Sequence, residues 1–442
     1  GVAAGRDPGE LGSGPREGVL TMSDTPRPPR VAFFGLLGSG NLGNHGSLDA
    51  MLAFVRKHHP EAELNCVCSD PAEFERQYGI PAVAMTWYQQ HGPGSSRLAS
   101  VTRKAFGKVA DLVRMPRLVR DYDVVIVPGM GVFETTLEFR PWGWPYALFL
   151  MSVSARLAGV KTAFVSVGAN VARERSLRWL FVGSARLASY RSFRDTYSRD
   201  AMRQMGVDTS ADEVYPDLAF GLPEPPATEQ AGRNERVVGL GVMAYRGINA
   251  DRGHAEQILA EYTAKIVEFA RWLVDQGYRI RLITGDPSDL VVVEAVYADL
   301  RRTRPELVEK RLISEPAETL GELMTQLAGV DLVVASRYHN VLSGLKLSKP
   351  TISISYGTKS DILVEQMQLA EFRQPIRALD VARLIDQLRA LELRAPSVVP
   401  VMRERNAEYV QALERQYDVL SETLFGKPRT VLDQHAAVEQ GE

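Results

Sequence analysis

The chain has 442 residues, 45% hydrophobic and 24% charged, a composition that suits two globular domains of ordinary size and excludes a chain disordered throughout. Lys and Arg number 52 against 54 Asp and Glu, so no global basic field points to nucleic acid, and any electrostatic recognition is local. The only cysteines, Cys66 and Cys68, read as core thiols on one strand face rather than a zinc site; no run reaches the roughly 20 apolar residues of a membrane span, and the expected compartment is the cytoplasm.

Residues 1–30, rich in Gly, Pro and Arg, read as a disordered leader outside the fold, with Met22 as a candidate natural start. The strand "VAFF" follows, and then "GLLGSGNLGNHGSLDAML", where glycine and asparagine bring backbone close to a ligand. Turn amides and the positive end of a helix expected after Gly46 suit an anion there. Gly38, Gly40 and Gly43 also spell the dinucleotide fingerprint, with Asp70 as ribose ligand, which keeps a nicotinamide oxidoreductase in view although Asp70 stands further on than that motif expects.

The runs "ELNCVC", "DVVIVPGM", "TAFVSVGA", "YRSFRD" and "DEVYPDLAF" alternate with helical patterns and predict an α/β domain with a parallel sheet over 31–220. Within it, 95–123 reads as a basic amphipathic helix or helix pair carrying Arg97, Arg103, Lys104, Lys108, Arg114, Arg117 and Arg120. That pattern is common on ordinary surface helices, and it is also compatible with peripheral contact to an anionic membrane or a lipid-linked acceptor. After "DVVIV", Gly129 and Gly131 leave room for a ligand and Glu134 fits an acid or base. Arg194, Asp195 and Asp217 also fall at strand ends, where a turn, a cap and a loop closure explain some of these residues equally well.

The stretch 221–236 has linker composition, and a second α/β domain is expected over 237–395. A last helix over 396–426 is expected to pack back across both domains, followed by a tail over 427–442. Two such domains leave a cleft, and in open α/β sheets ligands sit outside the carboxyl ends of strands. At two of these ends "SRYHN" places Arg337 and His339 two apart, with Asn340 able to cap the next helix; "SYGTKSD" places Thr358 as a cap and Lys359 behind it. If the two strands are neighbours, Arg337, His339 and Lys359 converge on one rim and form an anion site.

In order and spacing these pieces resemble the polysaccharide pyruvyl transferases, from Val31 to about Leu369. The matching elements are the loop Gly38, Gly40, Asn41, Gly43 and Asn44, the glycine cluster Gly129 and Gly131, Arg194 to Ser198, Pro216 with Asp217, "SRYH" and Tyr356 to Lys359. Met130 stands where that family usually has a further glycine. The resemblance implies two Rossmann-like domains facing a cleft, similar to the GT-B glycosyltransferases, and transfer of pyruvyl from phosphoenolpyruvate to a sugar as a ketal. It implies His339 as the acid, with Arg337, Lys359 and Arg194 holding the donor, and the acceptor, a glycan or lipid-linked sugar, on the side of the Asn-rich loop, the glycine cluster and Asp217. No cofactor or metal is expected beyond phosphoenolpyruvate as co-substrate. A nucleotide-sugar glycosyltransferase is the alternative, and a non-catalytic sugar-binding protein is the alternative of a different class.

Overall fold

The computed structural model describes residues 27–38, 40–92, 97–135, 141–226 and 235–426, without the side chains of 97, 98, 249, 250 and 252. Most of the expected leader, the middle of the linker and the tail lie outside these residues. The expected leader ends earlier than residue 30, because Arg27 makes two hydrogen bonds to Asp123 at 2.9 and 2.7 Å and the Arg30 N–H a third at 2.8 Å.

Short apolar runs become parallel strands because helices cover both faces, leaving no polar side for them to show. The first sheet holds β1 (Arg30–Gly35), β2 (Glu63–Cys68), β3 (Ala82–Ala84), β4 (Val124–Pro128), β5 (Lys161–Val167), β6 (Tyr190–Phe193) and β7 (Glu213–Val214) in the order β3-β2-β1-β4-β5-β6-β7. Between them run α1 (Leu42–His58), α2 (Pro71–Tyr78), α3 (Trp87–His91), α4 (Arg97–Val119), α5 (Trp144–Ala158), α6 (Arg175–Leu187) and α7 (Thr196–Gln204). Cys66 and Cys68 are free and buried.

The second sheet repeats the plan with β8 (Val237–Gly241), β9 (Arg279–Ile283), β10 (Leu312–Ser314), β11 (Leu332–Ala335), β12 (Thr351–Ser355) and β13 (Arg373–Pro375), in the order β10-β9-β8-β11-β12-β13. Its helices are α8 (Ala255–Asp275), α9 (Leu290–Thr303), α10 (Pro305–Arg311), α11 (Leu320–Ala328), α12 (Tyr338–Lys346), α13 (Thr358–Gln366) and α14 (Val381–Leu420). In both sheets the chain reverses its direction of travel between the first and fourth strands, at β1/β4 and at β8/β11. These two switch points are where ligands of such sheets bind.

Three boundaries differ from the sequence expectation. Helix α1 begins at Leu42, not after Gly46, because the Asn41 side chain accepts from the Gly43 and Asn44 amides and starts the helix there. Helix α14 begins at Val381 and continues through Pro396 and Pro400, since both prolines are exposed and water solvates the carbonyls they leave unbonded. Neither Asn340 nor Thr358 is a cap: Arg337 and Gly357 occupy those positions, and Asn340 and Thr358 lie inside their helices.

Helix α14 spans both domains. Asn406 Nδ2 donates to the carbonyls of Leu345 and Lys346 at the end of α12, at 2.9 and 2.8 Å. Ten residues on, Gln416 Nε2 donates to Ser192 Oγ at 2.8 Å and Ser166 Oγ at 3.1 Å in the first domain. Among the described residues, no helix is long and apolar enough to cross a membrane.

Candidate active site

The loops after β1, β4, β8 and β11 meet across the cleft around a cavity of about 310 Å³. Of the residues singled out from the sequence, it brings together Asn41, Gly43, Asn44, Gly131, Glu134, Arg194, Arg337, His339 and Lys359. Gly38 and Gly40 face a different crevice, beside Pro287 and Glu318. Gly129 packs on Ser47, and Asp217 lies buried behind Tyr338, whose hydroxyl donates to it at 3.4 Å. Asp70 spends its carboxylate capping α2 and does not reach the cavity.

The N-terminal wall is an ion-pair network. Arg194, almost fully buried, pairs with Glu134 and stands 3.7 Å from both Asp195 and Asp217. Lys359 reaches across the cleft to the same Glu134 at 3.1 Å. Burial opposes both charges, but Glu134 and its neighbours outweigh it and hold the Arg194 guanidinium and the Lys359 ammonium above their ordinary pKa. The Arg194 guanidinium lies 4.8 Å from the centre of the Tyr338 ring, and the Lys359 ammonium 5.4 Å from the Tyr338 and Tyr356 rings. Met130 carries a left-handed backbone at φ +60°, a conformation that favours glycine.

The C-terminal wall centres on Asp289. This carboxylate accepts from Arg337 Nη2 and Nε at 2.6 and 3.0 Å, and from the amides of Ala244, Gly285 and Asp286 at 2.8 to 3.1 Å. One buried carboxylate thereby fixes the ends of β8 and β9 and aims Arg337. The N-termini of α12 and α13 both open here, and no side chain caps either. Their first amides and positive dipole ends suit an anion. The α1 N-terminus is closed by comparison: Leu42 N–H donates to the Gly285 carbonyl at 3.4 Å, and the next two amides go to Asn41.

His339 sits at the centre, with Nε2 buried and without a hydrogen-bond partner. Burial lowers its pKa to about 4, and Arg194 and Lys359 act in the same direction against Asp217 and Glu134. The imidazole is therefore neutral near pH 7. Its ring lies over Gly43 so closely that any Cβ there would overlap it, and Gly46 makes the same allowance for Leu320 of α11. These two helical glycines make room for side chains of the other domain.

Sequence reasoning missed Asp289, Tyr338 and the segment from Met243 to Ile248, and misread Asn340. Asn340 lines the cavity 1% exposed, with both amide atoms lacking a partner. The strand-end rule that found Arg337 also applies to "GDPSDL" after β9 and was the available signal for Asp289.

A family model described as polysaccharide pyruvyl transferase matches residues 41–358. No curated protein matches the chain. Among solved structures, HepE of Anabaena in complex with UDP and glucose is 14% identical with a TM-score of 0.53, over 90% of this chain and 99% of that one. A putative UDP-N-acetylglucosamine 2-epimerase from Listeria monocytogenes is 14% identical with a TM-score of 0.59, over 92% and 100%. The UDP-GlcNAc 2-epimerase from Neisseria meningitidis bound to UDP-GlcNAc is 11% identical with a TM-score of 0.56, over 90% and 100%. At such identities the likeness establishes the fold, a GT-B-like pair of α/β domains.

Proposed function

The chain belongs to the polysaccharide pyruvyl transferase family, and on that premise we propose that it moves the pyruvyl group of phosphoenolpyruvate onto two hydroxyls of a glycan sugar. One observation carries the donor assignment. Two helix N-termini without side-chain caps, Arg337, Lys359 and Arg194 surround one cavity with an unpartnered histidine nitrogen at its centre. A small molecule bearing both phosphate and carboxylate matches that density of positive groups.

The donor's anionic groups compete with Glu134 for Lys359 and Arg194. Binding therefore draws both cations from the Glu134 carboxylate and makes it a stronger base toward an acceptor hydroxyl. The same anion beside His339 favours its imidazolium, so the acid forms when the donor is present. His339 then protonates the enol methylene of the donor to a methyl, and the adjacent carbon, now cationic, takes the first sugar oxygen. Phosphate leaves toward the helix ends and Arg337, and the second oxygen closes the ketal. Of the two hydroxyl protons released, one replaces the proton on His339 and the other leaves with phosphate. Preorganised cations stabilise the charge gained by the leaving group.

The test is thermal. Phosphoenolpyruvate alone should raise the melting temperature beyond phosphate, pyruvate or UDP at matched ionic strength. Stabilisation by UDP and none by phosphoenolpyruvate overturns the donor assignment in favour of a nucleotide-sugar transferase. Mass spectrometry of glycans incubated with enzyme and donor identifies the acceptor by the mass of one added pyruvyl ketal.

A further inference from the structure

The first domain carries an apolar surface that this chemistry does not use. Helix α4 seats Gly107, Asp111, Met115 and Val119 on its own domain, and Asp111, the one acid of the helix, is turned inward to accept from the Trp87 N–H at 2.8 Å. The opposite face carries Val101, Phe106, Val109, Leu112 and Val113, between 52% and 63% exposed. With Ala105 they form one stripe along the helix, interrupted near its start by Thr102, whose hydroxyl donates back to the Ala99 carbonyl, and it faces solvent where an ordinary surface helix is polar.

Cations flank the stripe: Lys108 on one side with Lys104 further round, 5.3 Å from the Tyr88 ring centre, Arg103 and Arg117 on the other, and Arg120 just beyond its end, 4.0 Å from the exposed Asp121. Lys108 stands 5.0 Å from the centre of the Tyr146 ring, and that ring is 6.1 Å from Trp142, which is 68% exposed. Trp142 therefore stands at the same rim, two residues before Trp144, which lines the cavity.

We propose that α4 and Trp142 form a docking face for an anionic lipid bilayer. The apolar stripe enters the acyl boundary, the flanking cations meet anionic headgroups, and the indole sits at the interface. Charge complementarity decides the occupant, because α4 carries no outward carboxylate and its cations, with Arg120, outnumber Asp121, the exposed acid just past its end. Docking sets the cavity near the headgroups, where a lipid-linked glycan acceptor would stand; that consequence rests on the pyruvyl-transfer reading, while the docking does not.

Flotation of the whole protein with vesicles of phosphatidylcholine alone, or mixed with phosphatidylglycerol, at low and high salt tests this directly. Binding is expected only to the anionic vesicles and is weakened by salt. The triple variant Lys104→Glu, Arg117→Glu and Arg120→Glu should reduce partition at least a hundredfold, at roughly fivefold for each cation lost. The double variant Val109→Asp and Leu112→Asp should abolish it, with the melting-temperature shift by phosphoenolpyruvate unchanged in both variants. No partition into anionic vesicles, or partition that neither variant alters, overturns the proposal. A concentration-dependent dimer that the aspartate variant dissociates, with no vesicle binding, assigns the face to a second copy of the chain and also overturns it.

Discussion

Among the helices that begin at the cleft, α1 on one side and α12 and α13 on the other are built in opposite ways. The α1 terminus carries the residues that look made for an anion, yet its first amides are taken by Asn41 and by the Gly285 carbonyl of the other domain. The α12 and α13 termini carry no glycine-rich signature, yet no side chain caps them, and Arg337, His339 and Lys359 project from their starts. Whether an N-terminus binds a ligand depends on what already occupies its amides, and a capping asparagine closes the site that its own motif advertises. Loop composition alone points to α1, whereas the termini without side-chain caps are those of α12 and α13.

The comparison breaks most visibly at His339. His339→Gln should lower turnover by about 10² to 10⁴-fold with the protein folded. Asn41→Ala should instead cost about 1 kcal/mol of stability in denaturant unfolding and change turnover far less. Equal losses of turnover in the two variants would mean that α1 takes part in the chemistry after all.

Gly43→Ala places a methyl group into the His339 ring and should lower kcat by about 10² through misplacement of the acid, without loss of helix signal in circular dichroism. Gly46→Ala meets Leu320 instead, and should show as roughly 1 to 3 kcal/mol of destabilisation with kcat nearly intact. An unaltered kcat in a folded Gly43→Ala protein would show that the contact between α1 and His339 does not position the ring.

Smaller still is the proton balance. The folded pKa of His339 lies at about 4, below its value of 6.5 in an unfolded chain, so the unfolded state takes up a proton first as pH falls. This histidine therefore lowers stability as pH drops from about 6.5 to about 4 and has no such effect above that window. Donor binding should reverse the bias and take up a fraction of a proton near neutral pH. Calorimetry in two buffers of different ionisation enthalpy reads this uptake, and His339→Gln should abolish it.

Much of the fold was legible because a buried parallel strand has nowhere to place polar residues: "DVVIVP" and "TISIS" announce β4 and β12 without help from the rest of the chain. The rim of Arg337, His339 and Lys359 was legible because all three fall just past strand ends. Asp289 was not singled out, because its partner Arg337 is 48 residues away and only the pairing of β8 with β9 and β11 makes them neighbours. The start of α1 was misplaced because Gly43 and Gly46 read as helix breakers, and only His339 and Leu320 explain them. The length of α14 was hidden by prolines whose tolerance depends on facing water.

Helix α14 also limits how the cleft can move. The chain passes between domains once after β7 and again along α14, where Asn406 is fastened to one domain and Gln416 to the other. A body held at one point can swivel in any direction, whereas a body held at two turns only about the line joining them. Any rotation of one domain on the other that keeps both attachments is thereby confined to a single angular coordinate, along which His339 leaves Gly43 and comes back to it.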